Sequence, residues 1–249
     1  MRTFQICCLS ERGFFLAVRR DIICAVNPLS NYILGKTCAN SDILKRIIES
    51  DSSIIITNLD KSIRNLDEFS FQRIYVPESF LESRSDLSMY LRKLYESGIV
   101  YSVSEGEEII LAEDTSAFII QHRERKNVRH KYSLLIVHNS VSILFTEYFP
   151  NIEFREFRID LLILPINIFA SYMELLTNPR NWSKIPHVIG YESQYIILLT
   201  QKEEDDLTRN CCKWDFFSTN GMSPFFCLRP ITCAGFSHHL GYLYPMRRS

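Results

Sequence analysis

A chain of 249 residues, 46% hydrophobic and 23% charged, has enough apolar material for one large globular unit or two smaller ones, each with a real core. Its formal net charge of −1 excludes a global basic field for nucleic acid or anionic lipid, so only local patches remain to be weighed. Eight glycines fall well below the usual ~7%, which argues against phosphate-cradling loops and doubly wound dinucleotide folds, where backbone must come close to a ligand. Ile, Ser, Asn, Phe and Tyr are plentiful and Ala is sparse, a bias that points to an AT-rich coding sequence such as that of a virus.

Phe4–Leu9 and Phe14–Val18 read as two strands joined by Ser10–Gly13, and Asp21–Val26 as a third, broken by Asn27-Pro28. Gly35-Lys36-Thr37 follows that strand and precedes a helix capped by Ser41, the order of a phosphate-binding loop, with Asp60 placed to hold magnesium. The full motif needs a glycine at Ser30, however, and bulky Tyr32, Ile33 and Leu34 would obstruct the nest of N–H groups. Ile54–Thr57 is a buried strand or short core segment, and Ser62–Tyr75 is read as one or two helices.

The most telling stretch is Arg84–Asp114. Ser85 is an N-cap, Asp86 suits the first helical turn, and Leu87, Tyr90, Leu91 and Leu94 make one apolar helical face. Gly98 stops the helix. Ile99, Tyr101 and Val103 alternate as a strand, Glu105-Gly106 turns, and Ile109–Leu111 returns. This pattern resembles the second half of a winged-helix domain, in which a recognition helix precedes a β-wing. The resemblance falls within residues 62–113 and implies macromolecular binding.

Ala117–Gln121 is read as the start of a further helix. The run from His122 to Lys131 then places Arg123, Arg125, Lys126, Arg129 and Lys131 within nine residues. It marks a boundary between an α+β unit over residues 1–121, holding the winged-helix-like segment, and a mixed α/β unit over 132–249 that ends in a Cys- and Phe-rich tail. Leu134–Val137, Val141–Phe145 and Tyr195–Thr200 are strands, Leu161–Leu164 is an apolar run that ends at Pro165, and Ile166–Leu176 is a helix. The tail from Cys211 is expected to lack long regular elements.

No catalytic constellation stands out. Cys211, Cys212, Cys227, Cys233, His238 and His239 could supply zinc ligands, yet no C-x2-C spacing occurs, so no metal and no cofactor are expected. Cys227 or Cys233 with His238 could pair as nucleophile and base, but no family signature surrounds them. His138-Asn139-Ser140 has the H-x-S form of two-histidine phosphoesterases, without the second copy such a fold needs. The absence of a secretory signal and of a long apolar span suggests an intracellular chain, cytoplasmic or nuclear, with reduced thiols and no membrane partner. The reading is therefore an α+β, non-enzymatic regulatory or accessory protein that binds another protein. The alternative is a nucleic-acid-binding regulator using Arg84, Arg92, Lys93, Arg123, Arg125, Lys126, Arg129 and Lys131, whose cations would neutralise phosphates. An NTPase or Cys hydrolase is the remaining reading.

Overall fold

A computed structural model describes residues 2–10, 12–19, 21–28, 52–59, 66, 73–122, 131–147, 159–165, 167–168, 195–199, 225–228, 233–239 and 242–246. Strands β1 (Arg2–Ser10), β2 (Gly13–Val18) and β3 (Asp21–Val26) form an antiparallel meander, as their alternating apolar residues predict. The chain then changes mode. β4 (Ser53–Ile55) pairs parallel with β3, β5 (Arg73–Pro77) with β4, and β6 (Val100–Val103) with β5. The helix expected up to Tyr75 thus gives way to a strand at its end; most of 62–72 lies outside the described residues.

The second sheet repeats this plan. β7 (Glu108–Ala112), β8 (Thr115–His122), β9 (Lys131–His138) and β10 (Val141–Thr146) are antiparallel neighbours. β11 (Leu161–Pro165), β12 (Tyr195–Leu199) and β13 (Phe225–Leu228) then add on in parallel. β14 (Cys233–His239) returns to the first sheet beside β1, and β15 (Tyr242–Pro245) forms its edge. The result is an eight-stranded sheet, β15-β14-β1-β2-β3-β4-β5-β6, and a seven-stranded sheet, β13-β12-β11-β10-β9-β8-β7. Both draw strands from each half of the chain, and β8 pairs with β9 across the basic run.

All five residues of β11 are buried, as are Ile196–Leu199 of β12, the continuous apolar pattern of strands covered on both faces. Phe14 of β2 meets Phe145 of β10 edge to face, with ring centroids 5.3 Å apart, and Phe4 stacks on Phe236 at 5.6 Å. Cys8 and Cys24 are buried thiols outside any disulfide, and burial pushes Cys24 up to about 12, which removes it as a nucleophile near neutral pH. Cys7 is disulfide-bonded, against the expectation of reduced thiols throughout.

The two helices of the described residues are α1 (Ser79–Glu82) and α2 (Asp86–Glu96). α2 forms as the sequence predicts. The Ser85 hydroxyl accepts from the Ser88 N–H at 3.2 Å, and Leu91 and Leu94 are buried while Leu87 and Tyr90 are only partly so. Gly98, at φ +73°, ends it: Ile99 N–H donates to Leu94 O and Gly98 N–H to Tyr95 O, satisfying carbonyls the last turn leaves open.

The β-wing does not form, and the expected α+β class with it is overturned. β6 and β7 flank a tight turn at Ser104–Glu107, yet they never pair. β6 runs parallel to β5 at the edge of one sheet, while β7 lies antiparallel to β8 at the edge of the other. The turn is a crossing between layers, held by Glu107 Oε2 accepting from Ser104 N–H (2.9 Å) and by Gly106 N–H on Ile119 O (3.1 Å). Residues 117–121, expected to begin a helix, are mid-strand in β8; the branched Ile119 and Ile120 favour the sheet, and β7 and β9 flank it on both sides. The tail carries β13, β14 and β15 rather than irregular chain.

No helix among the described residues is long and apolar enough to cross a membrane.

Candidate functional site at the strand ends

A parallel strand delivers its carboxyl end to the same side as its neighbours, and ligands of open sheets that contain parallel strands gather there. In this chain β3, β4 and β10 end close together because Phe14 and Phe145 lock the two sheets just before those ends. Phe14 is paired with Val26, the last residue of β3, and Phe145 lies two residues before Glu147.

Four side chains of the described residues meet at this edge. Asn27 leaves β3 in a left-handed conformation, φ +43°, which asparagine tolerates better than most residues. Its N–H bonds to Ile55 O at 3.0 Å, so the turn is fastened to the end of β4. Gly13 makes room for it: a Cβ there would lie 2.3 Å from the Asn27 carbonyl oxygen. The Asn27 Oδ1 accepts from Thr57 N–H at 2.8 Å. Its Nδ2 shares two hydrogens among Thr57 Oγ1 (2.8 Å), Glu147 Oε1 (3.2 Å) and the Arg12 carbonyl (3.2 Å). Asn58 Nδ2 donates to Glu147 Oε2 at 2.8 Å. Glu147 is 5% exposed, and Asn27 and Asn58 are half-buried, so the amides form the rim and the carboxylate the floor.

The amide orientations follow from chemistry. A backbone N–H only donates, so Asn27 must turn its oxygen to Thr57 and its nitrogen toward Glu147. An ionised carboxylate only accepts, so Asn58 must also present nitrogen. Glu147 therefore receives one amide N–H on each oxygen.

A second polar group lies at the other end of β10. His138, 1% exposed, bonds through Nδ1 to Thr115 Oγ1 (2.8 Å) and through Nε2 to Asn139 Nδ2 (3.0 Å). The Asn139 nitrogen also donates to Asp114 Oδ2 at 2.6 Å. Partial burial works to raise the Asp114 carboxyl, but the Asn139 amide, the nearby His138 ring and the Thr115 hydroxyl outweigh it and leave it below its ordinary value. This group fastens the Asp114 and Asn139 turns together. His138 is thus a buried structural histidine rather than a phosphoesterase residue.

The residues named for nucleic acid fare differently. Arg92 turns inward, its Nε donating to Leu81 O and its Nη2 to Ser83 O at 2.6 Å, so it ties α1 to α2. Arg84 and Lys93 are exposed, and Lys131 opens β9 half-buried opposite His122. Arg123, Arg125, Lys126 and Arg129 lie outside the described residues, as do Gly35, Lys36, Thr37, Asp60, Cys211 and Cys212. Cys227 and Cys233 fall in β13 and β14; His238 is half-buried and His239 exposed.

No protein-family model matches the chain, and no curated protein matches it by sequence. Solved structures do match its fold. Igni18, a metallo hydrolase from Ignicoccus hospitalis, superposes over 95% of this chain and 100% of its own, with a TM-score of 0.60 at 11% identity. The chain has a metallo-β-lactamase fold. YhfI from Bacillus subtilis, described by that fold, covers 94% of this chain and 100% of its own at TM-score 0.55 and 11% identity. Zn(2+)-bound PqqB from Methylobacterium extorquens covers 93% and 99% at TM-score 0.54 and 8% identity.

These matches run almost the full length of the chain and leave no place for a winged-helix unit. They overturn the expectation of a non-enzymatic, partner-binding regulator, which rested on that unit and on the lack of a legible catalytic group.

Two of these three are metal proteins by description, so the residues at this edge can be tested as ligands. They do not fit. Zinc takes imidazole, thiolate or carboxylate, and of Asn27, Thr57, Asn58 and Glu147 one is such a group. Its oxygens face amide hydrogens, which repel a cation. Among the described residues no three His, Cys, Asp or Glu side chains gather to hold an ion.

The four residues escaped sequence reading because Asn, Thr and a lone Glu carry no spacing signal. The one available hint was that three apolar runs each end in a polar residue: Val26-Asn27, Ile56-Thr57-Asn58 and Phe145-Thr146-Glu147.

Proposed function

We propose that this chain is a hydrolase that works at the carboxyl ends of β3, β4 and β10. The observation that carries the reading is the almost full-length likeness to Igni18, described as a metallo hydrolase, together with a buried carboxylate at the strand ends of the same fold. Glu147 is the general base of this reading. It takes a proton from a water at the rim, the hydroxide attacks the substrate's electrophilic centre, and Glu147 returns the proton to the leaving group, so no net proton is consumed. Asn27 and Asn58 hold the carboxylate in place.

The test is a panel of chromogenic phosphodiester, phosphomonoester, carboxylic ester and β-lactam substrates, run with zinc, with manganese and with chelator. Turnover of at least one class is expected, reduced by ~10²-fold or more in Glu147→Gln while the circular dichroism spectrum is retained. No turnover in any class, or full activity in Glu147→Gln, would sink the reading.

A further inference from the structure

Strand register shows which face of the eight-stranded sheet looks at the other sheet. Phe14 touches Phe145 across the gap, so its face is the inner one. From Phe14 a row runs through Val26, Ile55, Tyr75 and Tyr101, each paired with the next. A second row on that face runs from Leu16 through Cys24 and Ser53 to Arg73, and Ile99 shares the face of Tyr101 by alternation. Cover fades along both rows. Val26, Ile55 and Cys24 are buried, Ser53 and Tyr75 half-buried, Arg73 exposed, and Ile99 and Tyr101 are 39% and 43% exposed. The cause is strand order. The seven-stranded sheet ends at β7, which packs against β3, so the inner face of β5 and β6 extends past it.

We infer that this overhang, with the edge of β7 beside it, is a docking groove for an extended peptide segment of a partner protein, which adds to the seven-stranded sheet as a strand next to β7. β7 has a neighbouring strand on one side only, β8, and an edge strand presents N–H and C=O groups that a further strand satisfies. A strand added there turns every second side chain onto the overhang. The overhang suits apolar side chains: the Tyr75 and Tyr101 ring centroids lie 5.8 Å apart, with Ile99 on the same face. Charge decides the rest. Arg73 bonds to the Tyr75 side chain and forms no ion pair with a described residue, so it matches a carboxylate of the incoming segment. Glu107 and Glu108 at the start of β7, and Glu113 and Asp114 just after it, are all exposed. Four carboxylates along this wall repel a polyanion, which favours a peptide over a nucleic-acid strand despite the tyrosines.

The groove begins at the amino ends of β5 and β6, away from the carboxyl ends that carry Asn27 and Thr57, and is independent of the proposed hydrolysis. The experiment uses the full chain and a fluorescein-labelled synthetic peptide that alternates valine and threonine about a central aspartate, with a lysine at each end. Its control has proline in place of each threonine, which removes N–H donors. Saturable binding of the first peptide and none of the second are expected by fluorescence anisotropy. Affinity should fall ~10-fold or more in Tyr101→Ala and in Arg73→Gln, both surface changes that leave the core intact. Amide exchange over residues 108–112 should slow when the peptide is added.

No binding of the alternating peptide would overturn the inference, as would binding that both variants leave unchanged or that does not slow exchange in β7. Amides of β7 that already exchange as slowly as those of β8 in the free protein would overturn it too, because the edge would then be filled by this chain or by a second copy. Tighter binding of a labelled oligothymidylate than of the peptide would assign the tyrosines to nucleic acid instead.

Discussion

Phe14 and Phe145 meet with ring centroids 5.3 Å apart and planes at 62°, both nearly inaccessible to solvent. This contact joins the two sheets beside the ends of β3 and β10, and through them sets where Asn27 and Glu147 fall. Phe145→Ala should therefore cost ~3–5 kcal/mol, as large-to-small aromatic changes in a core do. It should also lower whatever activity the substrate panel reveals, in the protein that still folds. Urea denaturation measures the first; a loss under ~1 kcal/mol would show that the rings do not carry the inter-sheet packing.

Gly13 offers a more local probe of the same edge. A methyl group there would meet the Asn27 carbonyl oxygen at 2.3 Å, a contact with backbone rather than with a flexible side chain. Gly13→Ala should destabilise by roughly 1–3 kcal/mol, the range for overpacking a filled site. Amide exchange should report it as faster opening at Asn27 and Thr57. Wild-type stability and exchange would mean that the turn has room to spare.

Helix α2 should be sensitive at its stop. Gly98 holds φ +73° with open space around its α-carbon, so an added methyl group meets strain but no clash. Gly98→Ala is expected to cost about 1 kcal/mol from the left-handed backbone alone. Leu91→Ala on the buried face should cost more, ~2–5 kcal/mol. Equal melting temperatures for the two variants would contradict this ordering.

Asp114 predicts the acid limb of the stability curve. Its folded pKa lies below the unfolded value, so its contribution is fully present above about pH 3.9 and is lost as the pH falls through the folded pKa. Asp114→Asn should flatten the acid loss of stability below about pH 4 and reduce stability near neutrality. A variant whose denaturant midpoint follows the wild-type pH profile throughout would refute this.

Much of the local structure was legible in the residues. The β1–β2–β3 meander, the cap at Ser85, the stop at Gly98 and the buried runs of β10, β11 and β12 follow from periodicity and from a few special positions, which act over short spans of chain. Pairing partners do not. Alternation in β6 and β7 marks strands without fixing their inward face, since Val100 is buried while Ile99 and Tyr101 are exposed, and it reads the same whether the strands face each other or belong to separate sheets, so the tight turn between them resembled a wing. Arg92 looked like a surface cation until the carbonyls of Leu81 and Ser83 were placed beside it.

The candidate site lay furthest from view. Asn27 and Glu147 stand 120 residues apart and are joined only because parallel strands from two sheets end on one side. The sequence by itself determined the β1–β3 meander, the start and stop of α2 and the buried runs of β10, β11 and β12, because those depend on neighbours along the chain; β5, β8 and the strands of the tail were not legible in it. Only the tertiary structure decided that β6 and β7 part company and that two amides close on one glutamate, because those depend on strand order, which local pattern does not encode.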